Sequence, residues 1–181
     1  MLFLVYINDL PLCVSSKLRL FADDAYLYRV IYSLSDTEAL QGDLDRLQIW
    51  ENLWSMEFHP DKCKVLTITN KLKPIIANYT IHDQVLESVR DGKYLGVIVH
   101  NRLSWKPHIT NICAKANQCR IFLQRNLRGC SHSTKAKAYL TYVKPVVMYA
   151  STVWNPINNQ SLVDCLESVQ RKAARFVFSN W

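Results

Sequence analysis

The chain opens on an apolar run, Leu2-Phe3-Leu4-Val5-Tyr6-Ile7, closed by Asn8-Asp9. This reads as the tail of a helix over residues 1–10, terminated by Pro11. Two alternating segments follow, Leu18-Arg19-Leu20-Phe21 and Ala25-Tyr26-Leu27-Tyr28, with Asp23-Asp24 between them. Alternation on both flanks of a polar dipeptide predicts a β-hairpin over residues 18–31 with the acids at its tip. Ser35-Asp36-Thr37-Glu38 has the form of a capping box, with Ser35 as cap and Glu38 reaching back. Leu40, Leu44, Leu47, Trp50 and Trp54 then recur at helical spacing, so a long amphipathic helix is expected to about residue 56, with the tryptophans in its core face.

His59-Pro60-Asp61 marks a turn. Residues 63–69 alternate and are β-branched, which predicts a strand. Residues 79–81 and 84–86, joined by His82-Asp83, predict a small hairpin, and residues 94–99 another strand. Gly96 inside that strand would allow close approach of another backbone. Beyond Asn101 the period becomes helical. Trp105, Ile109, Ile112, Ala116, Cys119, Leu123 and Leu127 form one stripe that Gly129 is placed to stop. A second helix is predicted over residues 133–144, broken or kinked by Pro145, and a last one over 163–178. The shift near Asn101 is the one candidate boundary: mixed α/β before it, basic helices after it.

Composition bounds the class. The 181 residues are 49% hydrophobic and 20% charged, enough to bury a core and too apolar for a disordered tail. No apolar run reaches the length of a membrane span. The apolar start lacks a basic lead-in and a small-residue cleavage site, so no signal peptide is expected. The six cysteines form no C-x-x-C pair, which points to neither a zinc site nor a redox motif. Reduced thiols in an intracellular compartment, cytoplasmic or nuclear, are the expectation.

Charge changes the picture more. Residues 1–90 carry nine Lys/Arg and twelve Asp/Glu, a balance of −3, whereas residues 91–181 carry thirteen and three, a balance of +10. Ten Lys/Arg and no acid lie between Asp91 and Asp164. Such a surface gathers anions, and a nucleic-acid backbone is the expected physiological one, although a generally basic soluble domain would carry the same charge. Asp23 and Asp24 add chemistry. Two like charges held this close repel each other unless a cation neutralises them, and carboxylate-held metal pairs drive nucleotidyl transfer. A solvated polar turn would show the same dipeptide.

Residues 2–11 followed by Leu20-Phe21-Ala22-Asp23-Asp24 resemble the reverse transcriptases of non-LTR retrotransposons, the jockey-like elements in particular. Phe58-His59-Pro60-Asp61-Lys62-Cys63-Lys64 resembles a further palm motif of that family, and Tyr94-Leu95-Gly96-Val97 the strand that helps hold the primer end. Residues 139–154 and Gln170-Arg171-Lys172-Ala173-Ala174-Arg175-Phe176 continue the likeness in the family's order.

The resemblance implies an α+β fold: a partial polymerase palm over residues 1–100, an antiparallel sheet with packed helices that brings the Lys62 strand beside the acidic hairpin, then a basic, thumb-like helical region over 101–181. It implies Asp23 and Asp24 as Mg²⁺ ligands of the complete enzyme, Lys62 as a general acid toward pyrophosphate, and Tyr94, Leu95 and Gly96 as a primer grip. Lys106, Lys115, Arg120, Arg125, Arg128, Lys135 and Lys137 would contact phosphates of an RNA template and DNA primer. The family's further catalytic aspartate and nucleotide-positioning motif have no counterpart upstream of Asp23. The chain is therefore expected to be a truncated piece of an RNA-directed DNA polymerase, inactive alone or active only with the missing parts supplied by another chain. A non-catalytic nucleic-acid-binding module and a decayed element remnant stay open beside it.

Overall fold

The computed structural model describes residues 2–178. Met1, Ser179, Asn180 and Trp181, the outer ends of the expected 1–100 and 101–181 regions, lie outside the described residues. The chain is α+β and forms two compact units that divide between Arg90 and Asp91. The division falls where the charge changes sign.

In the first unit, helix α1 (Leu2–Tyr6) runs directly into a 3₁₀ turn over Ile7–Leu12. Pro11 lies inside that turn rather than ending the helix, a correction to the sequence reading. Strands β1 (Lys17–Phe21) and β2 (Asp24–Tyr28) form the expected hairpin. Helix α2 (Leu34–Trp54) starts earlier than expected. Its cap is Ser33, with Asp36 closing the capping box, because Asp36 also accepts the Tyr32 and Ser33 N–H groups at 3.0 Å each. Ser55 ends it in the left-handed region (φ 52°). Leu44, Leu47 and Trp50 on its inner face pack with Ile7, Leu10 and Leu18 into the core of this unit, whereas Trp54 is exposed.

The expected strand over 63–69 shortens to β3 (Lys64–Leu66), which pairs in parallel with β6 (Glu87–Val89). Between them β4 (Thr80–Ile81) and β5 (Gln84–Val85) form the predicted small hairpin, with His82 and Asp83 at positive φ as its turn demands. The expected single antiparallel sheet is not found. Among the described residues there are four two-stranded ladders, one of them parallel, and β3 does not lie beside the acidic hairpin. The inward residues of the hairpin, Leu18, Leu20 and Leu27, belong to the cluster built on the 3₁₀ turn and α2, and among the described residues no third strand joins the hairpin.

The second unit begins with β7 (Asp91–Tyr94) and β8 (Val97–His100). The strand expected over 94–99 is thus a hairpin, and Gly96 sits in its turn. Helix α3 (Lys106–Asn126) buries Ile109, Ile112, Ala116 and Leu123, as its stripe predicts. Helix α4 (His132–Ala138) passes through a π turn over Tyr139–Val143 into α5 (Lys144–Met148). Pro145 does not break this path. It occupies the first turn of α5, and the wide π turn before it takes up the missing N–H and the bulk of the ring. Helices α6 (Ser151–Trp154) and α7 (Gln160–Phe178) complete the unit. Val169, Phe176 and Val177 of α7 join Val143 and Trp154 in its core. Full burial of a side chain such as Ile109 stabilises by roughly 1.5–3 kcal/mol.

Candidate functional site

The acidic hairpin is built from its base upward. Asp43, on α2, is fully buried and collects the chain just before β1. The Ser15 and Ser16 N–H groups donate to it at 2.7 and 2.8 Å, the Ser15 hydroxyl at 3.1 Å, and Arg46 pairs with it. Burial alone would raise its carboxyl. The hydrogen bonds from Ser16, Ser15 and Arg46 outweigh that and hold it down at about 2. Past β2, Arg29 donates to the Ser15 and Ser16 hydroxyls at 3.2 and 3.4 Å and pairs with Asp36. Both ends of the hairpin are thereby tied to α2.

At the other end, Phe21 pairs with Asp24 across a two-residue turn of Ala22 and Asp23. Ala22 takes the left-handed region (φ 51°), which a turn this tight requires. Asp23 sits on the turn and Asp24 opens β2; both are exposed. Lys62 ends the 3₁₀ turn Pro60–Lys62, is exposed, and makes no ion pair with either acid among the described residues. Lys62 and the two acids belong to the same unit, Met1–Arg90.

Two carboxylates do not complete a site for Mg²⁺, which demands six oxygen ligands in octahedral geometry and is often held through only one or two carboxylates plus substrate oxygens and water. Among the described residues no group of three or more His, Cys, Asp or Glu is placed to hold an ion. Asp9, the one upstream acid, accepts the Trp50 indole N–H at 3.2 Å. The residues present do not by themselves fit a two-metal centre.

In the second unit, Tyr94 ends β7, and Leu95 (φ 45°) and Gly96 (φ 82°) form its turn. Of the basic residues singled out by the sequence, Lys106, Lys115, Arg125, Arg128 and Lys137 are exposed. Lys106 and Lys115 point about half a helical turn apart, so α3 carries its charge around the helix and not along one stripe. Arg120 is half-buried, donates to Gln124 Oε1 at 2.8 Å, and has its pKa lowered by burial. Lys135 is 6% exposed. With three acids against thirteen bases, this half carries a net charge of +10.

Sequence reasoning passed over several functional-looking positions. Asp43 and Glu51 lie on the apolar stripe of α2 and His108 on that of α3, and an ionisable residue in such a stripe was the available signal. His108 accepts the Ile98 N–H at Nδ1 (3.2 Å), and burial, with Lys115 second, lowers its pKa. Glu51 accepts the Phe58 N–H at 2.6 Å and meets His82 Nε2 at 3.1 Å.

No protein-family model matches the chain, and no solved structure matches it. Curated relatives do. The chain is 32% identical over 139 residues to the RNA-directed DNA polymerase from mobile element jockey of Drosophila funebris, covering 74% of this chain and 15% of that protein. It is 26% identical over 191 residues to the probable RNA-directed DNA polymerase from transposon BS of Drosophila melanogaster, covering 98% and 21%. The corresponding protein from transposon X-element of the same fly is 24% identical over 186 residues, covering 98% and 20%. The chain thus spans about a fifth or less of these relatives, and the resemblance read from its motifs is borne out.

Proposed function

We propose that the chain is a segment of an RNA-directed DNA polymerase of a non-LTR mobile element, whose part in the reaction is to hold a template–primer duplex of RNA and DNA. The observation that carries this reading is the similarity to mobile-element polymerases along 98% of the chain, hairpin and basic helices included. Residues 1–100 are read as palm-like and 101–181 as thumb-like. Lys106, Lys115, Arg125, Arg128 and Lys137 meet phosphates and position the duplex without reading its sequence. Tyr94, Leu95 and Gly96 form the turn that meets the primer end. By likeness to the family, Asp23 and Asp24 are read as acids of the complete polymerase's metal site and Lys62 as its proton donor toward pyrophosphate.

The two carboxylates alone favour a holding role without catalysis for the isolated chain. Primer extension with Mg²⁺ or Mn²⁺ tests this directly. No incorporation is expected, and incorporation abolished by Asp23→Ala would show that the pair suffices. Binding of a labelled RNA–DNA hybrid tests the holding role. Five phosphate contacts give a slope of about −4.5 in log affinity against log salt. A flat response between about 50 and 200 mM salt would reject the reading.

A further inference from the structure

The β7–β8 turn is an awkward one. Both of its central residues lie at positive φ, and the first of them is a leucine, for which that region is unfavourable. A single side chain from the helical part of the same unit contacts both. The Tyr149 hydroxyl donates to the Leu95 carbonyl at 2.9 Å. Its ring lies where a side chain on Gly96 would have to go: a Cβ built there would stand 3.1 Å from Tyr149 Cε1.

Tyr149 is itself fixed from both sides. Its N–H donates to the Pro145 carbonyl at 3.0 Å and its carbonyl accepts the Trp154 indole N–H at 2.8 Å. Trp154 is buried against His108, and Ala150 (φ 50°) makes the sharp bend between α5 and α6 that Tyr149 leads into. Yet Tyr149 is 56% exposed, so its position is not explained by core burial.

We infer that Tyr149 is a positioning residue: through the Leu95 carbonyl and the face of Gly96 it fixes the turn that receives the recessed 3′ end of a primer. This rests on the primer-holding reading of Tyr94, Leu95 and Gly96 given above. A turn held in one conformation loses less entropy when it meets a ligand, so the clamp acts on discrimination of the end. Phosphate contacts made elsewhere set the general hold on the duplex.

The test compares two RNA–DNA hybrids of equal length and charge, one with a recessed DNA 3′ end and one blunt. The measured quantity is the ratio of their affinities to the full chain. Wild type favours the recessed end. Tyr149→Phe, which keeps the ring and loses the hydroxyl, lowers that ratio about threefold, and Tyr149→Ala about tenfold. Gly96→Ala presses on the same contact from the turn side and lowers it as well. A wild-type preference unchanged by all three variants overturns the inference and leaves the primer reading standing. No end preference in wild type overturns both. Equal loss on both hybrids, with a lowered melting temperature, marks a merely structural residue and overturns the positioning role.

Discussion

Replacing Asp43 by asparagine keeps the shape of a fully buried side chain and removes its charge. In the native fold this carboxylate takes two backbone N–H donors, a hydroxyl and the Arg46 guanidinium. An asparagine puts an NH₂ group in place of one of the two oxygens that accept these donors. The fall of the carboxyl from its usual 3.8 to about 2 corresponds to roughly 2.5 kcal/mol, at about 1.36 kcal/mol per tenfold. Arg46 is half exposed and stays solvated when its partner goes, so the larger penalty of an abandoned buried cation does not arise. The sign follows from linkage. A depressed carboxyl stabilises fully above its unfolded value, and that stability drains as pH falls through about 2. Urea unfolding of the full chain followed by circular dichroism therefore shows Asp43→Asn destabilised by about 2–3 kcal/mol at neutral pH. The gap to wild type narrows between about pH 4 and pH 2. A loss below about 0.5 kcal/mol at neutral pH, or a gap that does not change on acidification, would refute this account of the hairpin base.

Cys113 is pushed up to about 12 by burial first and then by its hydrogen bond with the Cys165 thiol, so it is the slowest cysteine to react with iodoacetamide near pH 8, read by peptide mass spectrometry. Alkylation as fast as at Cys130 contradicts this. Burial, and Lys115 after it, lowers the His108 pKa, so wild-type stability falls as pH drops below about 6.5 toward the lowered folded value. In His108→Asn, which keeps an acceptor for the Ile98 N–H, that part of the slope disappears; an unchanged slope assigns it elsewhere. Ile109→Ala in the core of the second unit costs about 3 kcal/mol in denaturant unfolding, and a loss under about 1 would mean that the site collapses around the cavity.

Much of the first unit was legible because local periodicity fixes which face of a segment is buried. The hairpin around Asp23 and the α2 stripe of Leu44, Leu47 and Trp50 follow from it directly. Periodicity does not say which strand lies beside which. The palm sheet expected from the family likeness failed on that ground, since β3 found β6 and the hairpin found only itself. Residues 94–99 failed for a local reason. Leu95 gives no turn signal, so a strand pattern ran through a turn that only backbone geometry reveals. Sequence alone reads Pro145 as a break or a kink because a π turn, which absorbs a proline, leaves no mark in the sequence.

The residues missed at the site share one physical task. Two-stranded ladders and short turns leave many backbone donors without a strand partner, and a buried donor left unpaired is costly. The helices supply the acceptors. Asp43 takes the N–H groups of Ser15 and Ser16, Glu51 that of Phe58, and His108 that of Ile98. Gln41 takes the N–H of Thr80 and Gln48 that of His82. Each sits on or beside the apolar stripe of its helix, where a polar residue looks like an error in the pattern. In this chain those positions are what bind the irregular segments, including the acidic hairpin, to the helices that place them. A polar residue in a helix stripe is thus better read here as the address of a loop than as a defect of the core.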